Sequence, residues 1–209
     1  MSGKNLPGFY GNNIAQNAVR RYLQTGKTEG QRVEDHRIST ANVLSLCIQV
    51  ALNDAFRFGP DRLERLTEEV GRWSDRFTTE KNILGSYKAQ QKLQKELADI
   101  MPEPFLLPVI CAPKNRREWI LQAEKRDAAQ TIMLLYAKAV HKLFGFGAGR
   151  VKIMVQQTEK VYRQFGDYAA DGDYYGCKML ADRMGQILHT DVSVEEEKNA
   201  EPIFGDSLT

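Results

Sequence analysis

Cysteine and histidine are scarce in this chain, with three of each among 209 residues. Cys47, Cys111 and Cys177 lie far apart, none belongs to a CxxC pair, and His36, His141 and His189 do not cluster with them. No metal site is therefore expected, and reduced thiols in a cytoplasmic protein are the simplest reading. Long hydrophobic runs are missing as well. No apolar stretch approaches the ~20 residues of a membrane helix, so no membrane partner is expected. The opening MSGKNLPGFYGNN has no apolar core of the kind a secretory leader carries. Neither a GxxxxGK[ST] loop nor a GxGxxG loop follows a strand pattern, which argues against a phosphate cradle. No Ser–His–Asp or Cys–His arrangement is legible, so no catalytic residue is assigned and no cofactor is expected.

What is present suits a folded domain: 42% hydrophobic and 27% charged residues, enough to bury a sizeable core. The net charge of +2 conceals a gradient. Residues 190–209 hold Lys198 against Asp191, Glu195, Glu196, Glu197, Glu201 and Asp206, or 1 − 6 = −5, which leaves the other 189 residues at +7. Such an acidic tail is expected to be solvated and disordered, or to compete with a nucleic acid for the basic body.

The chain matches itself. Residues 43–73 align without gaps with residues 131–161, at an offset of 88 (144 − 56). Phe56, Phe58, Gly59 and Arg62 meet Phe144, Phe146, Gly147 and Arg150. Leu63, Leu66, Val70, Trp73 and Phe77 meet Val151, Met154, Thr158, Val161 and Phe165, and steps of three and four make each set one stripe on a helix. With a slip of one residue, Tyr87, Leu93, Leu97 and Ile100 meet Tyr174, Leu180, Met184 and Ile187. Residues 43–56 are apolar on most faces, as a central helix would be. The pattern predicts an all-α fold built by tandem duplication of one unit (helix, FxFGxxR turn, helix, helix), the two copies packed as an intramolecular pseudo-dimer. The expected organisation is a basic helical segment over 1–40, repeat one over 41–101, a proline-containing linker over 102–118, repeat two over 119–189 and the acidic tail over 190–209.

Finer expectations follow. Residues 13–27 read as a short helix ended by Gly26, with 116–130 as its counterpart. PFLLPVICAP (104–113) is the only strand-like stretch, and its prolines make it a linker. Gly59 and Gly147 are expected to supply the positive φ that ends a helix, and Asp171 or Asp173 to cap the third helix of repeat two. Arg62 and Arg150 fall in a first helical turn, where the helix dipole disfavours a cation, so each should have a carbonyl or carboxylate partner.

Three functions compete. The helix–turn–helix reading places Lys152, Gln156, Lys160 and Arg163 on one face of the helix after the second turn, facing phosphates and base edges. Support would come from Lys4, Arg20, Arg21, Lys27, Arg32 and Arg37. The equivalents in copy one are Glu64, Glu68, Arg72 and Asp75, which would repel DNA. A magnesium-dependent nucleotide pyrophosphohydrolase is a distant alternative. Glu64, Glu68 and Glu69, then Glu96 and Asp99, loosely resemble the MazG-type pattern, but Arg72 stands where its third glutamate belongs. DYAADGDYYGCK (167–178) lacks the oxygen spacing of a calcium loop. The stretches ALNDAFRFGPDRL and AVHKLFGFGAGRV resemble a motif of small helical proteins from bacteriophages and prophages of Gram-positive bacteria. That resemblance implies a phage accessory protein with no catalytic residues to carry over. The leading expectation is thus a non-enzymatic interaction protein with a protein partner, nucleic acid being the second possibility. Arg62, Arg150, Lys152, Gln156, Lys160 and Arg163 are the candidate contact residues.

Overall fold

The computed structural model describes residues 29–192 and Val194, and these residues form helices and connections with no strand. In chain order the helices are α1 (Glu29–Phe56), α2 (Pro60–Leu84), α3 (Ser86–Glu96), α4 (Arg116–Phe144), α5 (Ala148–Ala169) and α6 (Asp173–Leu188). The fold is all-α. No helix among the described residues is long and apolar enough to cross a membrane.

Local chemistry accounts for the helix boundaries. Pro60 opens α2, where its missing N–H is no loss. Gly85, at φ 83, closes α2 and separates it from α3. Asn115 caps α4, its side chain accepting from the Glu118 N–H at 3.0 Å, while Glu118 Oε2 accepts from the Lys114 N–H at 2.6 Å. Gly172, and neither Asp171 nor Asp173, occupies the cap position of α6, and Asp173 is the first helical residue.

The apolar stripes face inward. Leu63, Leu66 and Val70 of α2 are buried, as are Val151, Met154, Thr158, Val161 and Phe165 of α5. Tyr87, matched to Tyr174 by the repeat, is instead exposed. The centre of the molecule is formed by α1 and α4, which touch at matching heights. Arg37 of α1 pairs with Glu124 (2.7 Å) and Asp127 (3.0 Å) of α4, and further along the Gln49 amide donates to the buried Tyr136 hydroxyl at 3.1 Å. Contact at both levels in the same order means the two helices run parallel, so their FxFG turns emerge at the same end.

The flanking helices cross over. Those joined by an FxFG turn do not pack along one another: α1 packs on α5 and α6, whereas α4 packs on α2 and α3. The helices flanking a turn therefore do not form the mutually packed pair that the helix–turn–helix reading expects. Each turn holds its two helices apart so that each covers the opposite half. The expected counterpart of 116–130 changes too. That stretch is the first half of α4, continuous with 131–144, and stands opposite the first half of α1 at the offset of 88. The 40/41 and 118/119 boundaries accordingly fall inside α1 and α4. The helix expected at 13–27 lies outside the described residues, as does the acidic tail beyond Val194.

The 104–113 segment is irregular chain with neither helix nor strand, with Phe105 and Leu107 buried in the core and Ile110 packed against it. Gly166 of α5 leaves the room Ile110 occupies, since a Cβ there would lie 2.8 Å from that side chain.

Candidate functional site at the paired FxFG turns

Both turns have one backbone conformation. Each first helix ends in a left-handed residue, Arg57 at φ 57 and Gly145 at φ 63. Gly59 and Gly147, in contrast, are extended, with φ −89 in both. The positive φ expected at the second position of the FG pair thus lies two residues earlier. Copy one keeps the conformation without the glycine. Fixing the turn is a polar side chain: the Asn53 amide donates to the Phe58 carbonyl at 2.9 Å, and His141 Nδ1 stands 2.8 Å from the Phe146 carbonyl.

At the shared end the phenylalanines interlock. Phe56 meets Phe146, and Phe144 meets Phe58, both edge-to-face at 4.8 Å, and Phe58 and Phe146 are also edge-to-face, at 5.9 Å. Such pairs add ~0.5–1.5 kcal/mol each beyond the area they bury. Three arginines lie over this cluster. Arg62 is centred 5.7 Å from the Phe58 ring, Arg65 5.8 Å from Phe144 and Arg150 4.7 Å from Phe146. Arg150 also donates to the Gly145 carbonyl at 2.6 Å, reaching from the start of α5 to the negative end of α4, which offsets its own unfavourable position. The three side chains and Phe56, Phe58, Leu143, Phe144 and Phe146 line an open cleft of about 400 Å³. Among the described residues none of the three guanidinium groups is ion-paired to a carboxylate. Arg65 escaped sequence reasoning because its equivalent at the offset of 88 is Ile153, so the repeat does not mark it.

Below the turns the halves are joined by opposite charges. Asp54 of α1 accepts from Arg183 Nη2 at 2.7 Å and from the Gln157 amide at 3.3 Å. The same positions in the other half carry Lys142 and Glu69, 2.7 Å apart, with Arg72 also on Glu69 at 2.7 Å. Glu69 is only 2% exposed. Burial alone would raise its pKa, but the hydrogen bond and charge of Lys142, then those of Arg72, together hold the carboxyl below its usual range. Lys138 sits 3.9 Å above the half-buried Trp73 ring and pairs with Glu96.

These pairs bear on the other candidates. Glu69 and Glu96, two of the carboxylates in the pyrophosphohydrolase pattern, are each neutralised by a lysine, and no metal-sized cluster of ligands occurs among the described residues. Arg37 is used up between Glu124 and Asp127. Lys4, Arg20, Arg21 and Lys27 lie outside the described residues. Lys152, Gln156, Lys160 and Arg163 are all exposed on one face of α5, and none of them lines the cleft. The buried Cys47 thiol is pushed up strongly by desolvation, and that of Cys177 to about 11, so neither is a nucleophile at neutral pH.

Comparison of the chain with protein-family models, with curated proteins and with solved structures finds no match in any of the three.

Proposed function

We propose that this chain is a non-enzymatic interaction protein of the phage-accessory type, which binds a host or phage macromolecule through the arginine-rimmed end of its bundle. The observation that carries this reading is the set of three guanidiniums, Arg62, Arg65 and Arg150, 4.7–5.8 Å from phenylalanine ring centres around one cleft and without carboxylate partners among the described residues. The ring contacts keep Arg62 and Arg65 at the cleft with N–H groups to offer a carboxylate or phosphate, while Arg150 spends one N–H on the Gly145 carbonyl and keeps the rest of its fork. The test is binding by the full chain and by a variant with Arg62→Gln, Arg65→Gln and Arg150→Gln, matched in thermal unfolding. A partner recovered from host extract and then purified should bind the variant at least tenfold more weakly. Equal affinity for both proteins would remove the cleft from the function. Tandem duplication is the proposed origin of the two halves, supported by their common turn geometry.

A second reading is carried by the exposed basic face of α5, which suits nucleic-acid phosphates. In this reading Lys152→Glu, Lys160→Glu and Arg163→Glu together abolish a salt-dependent DNA retardation, with Gln156 adding a base-edge contact. No retardation of the unmodified protein at low salt would end it.

A further inference from the structure

We propose that the arginine-rimmed cleft is the docking site of an acidic segment of the same chain, residues 195–206, which a macromolecular partner must displace. This rests on reading the cleft as an anion-binding surface. Charge complementarity is the first argument. The segment carries Glu195, Glu196, Glu197, Glu201 and Asp206 against Lys198, or 1 − 5 = −4, and the cleft offers three arginines with no carboxylate partner among the described residues.

Position is the second. Gly176, early in α6, lies against Phe165 of α5, where an added Cβ would come 2.8 Å from the ring. Seven residues on (183 − 176), Arg183 reaches Asp54, two residues before Phe56. Since Gln157 also meets Asp54, Phe165 lies further down α1, and α6 must run toward the FxFG end. Beyond α6 the chain turns back on that same end. The Thr190 N–H donates to the Gly185 carbonyl at 3.1 Å, and Val192 N would stand 3.7 Å from a Cβ on Gly185. At ~3.3–3.6 Å per residue, Glu195 comes within ~10 Å of Val192 and Glu201 within ~30 Å, enough to cross the end of the bundle.

The surroundings select the length of the anion. Asp61, Glu64 and Glu68 are exposed on α2 beside Arg62 and Arg65. These carboxylates bound the cationic surface on one side, so its extent matches a short acidic stretch better than a long polyanion such as nucleic acid. Phe204 gives that stretch an apolar group for the half-buried Phe56, Leu143 and Phe144 of the cleft. Tethering raises the effective concentration to the order of millimolar, so individually weak ion pairs are populated within one chain.

The test uses a fluorescein-labelled peptide with the sequence of residues 194–209 and three full-length proteins. These are the unmodified chain, a tail-neutralised variant (Glu195→Gln, Glu196→Gln, Glu197→Gln, Glu201→Gln), and that variant with Arg62→Gln, Arg65→Gln and Arg150→Gln added. The tail-neutralised protein should bind the peptide at least tenfold more tightly than the unmodified chain, with affinity falling as salt rises, and the arginine variant should lose it. Equal, arginine-dependent affinity in the first two proteins overturns the docking but leaves the cleft as an anion site. Peptide binding by none of them, or equally by all three, overturns both. Arginine side-chain NMR gives a readout that leaves the cleft intact: the Nε–H signals of Arg62, Arg65 and Arg150 should move between the unmodified and tail-neutralised proteins. Coincident signals would count against docking.

Discussion

Replacing Lys142 with Met isolates the charge pair that joins α4 to α2. The Met side chain keeps much of the lysine's apolar length but leaves Glu69, only 2% exposed, with Arg72 as its remaining partner. Removing one member of a buried pair costs ~3–5 kcal/mol. Here Lys142 and Arg72 are 52% and 62% exposed, so water screens the pair from outside and Arg72 compensates in part. The expected loss is therefore about 2 kcal/mol in urea unfolding at pH 7. Adding Glu69→Gln should return about half, because no buried charge is then left short of a partner. The pH profile supplies an independent check. A carboxyl whose folded pKa is depressed contributes stability above its unfolded pKa, near 4.5, and loses it as pH falls through the folded value. The unmodified protein should lose this contribution below that pH, and Lys142→Met should flatten that part of the curve. A single-variant loss under about 0.5 kcal/mol, or a double variant as unstable as the sum of two singles, would refute the reasoning.

The glycines of the second half make two further predictions. Gly176→Ala should cost about 2–3 kcal/mol in thermal or urea unfolding, because its Cβ would meet the Phe165 ring at 2.8 Å and the Phe165 carbonyl at 3.0 Å. Gly166→Ala meets the Ile110 side chain, its Cδ1 and Cγ1 at 2.8 Å and its Cγ2 at 3.0 Å, and should cost about 1 kcal/mol and be rescued by Ile110→Ala. At the turns, Arg57→Gly should stabilise by about 0.5 kcal/mol and Gly145→Ala should destabilise by about 1 kcal/mol, both read from denaturant midpoints, because both positions are left-handed. Equal effects of alanine at 166 and 176, or a destabilised Arg57→Gly, would contradict these assignments.

Helix class, the boundaries at the FxFG turns and the inward stripes of α2 and α5 were legible in the sequence, because a period near 3.6 reports which face of a helix is covered. It does not report by what. The crossing of α5 onto α1 and of α2 onto α4 depends on contacts such as Asp54 with Gln157, 103 residues apart. No local pattern signals those contacts. Arg57 concealed its left-handed backbone because arginine carries no preference for it, and only Gly145 in the other copy hinted at it. Of the cleft, Arg62 and Arg150 were visible as repeated residues in an unfavourable helical turn. Arg65 was not, and neither was Glu69 as a buried acid, since a glutamate on a charged helix reads as solvated until a lysine 73 residues away closes over it.

The reversed polarity of the two joints reaches beyond stability. If two first halves associated with each other, Asp54 would stand against Glu69, acid on acid. Two second halves would set Lys142 against Gln157 and leave Glu69's place without an acid. Only the unlike pairing gives both cationic groups an anion. The charges at these two joints thus favour the unlike pairing over either like one. That leaves the two phenylalanine turns, still nearly alike, meeting at one end of an otherwise asymmetric molecule.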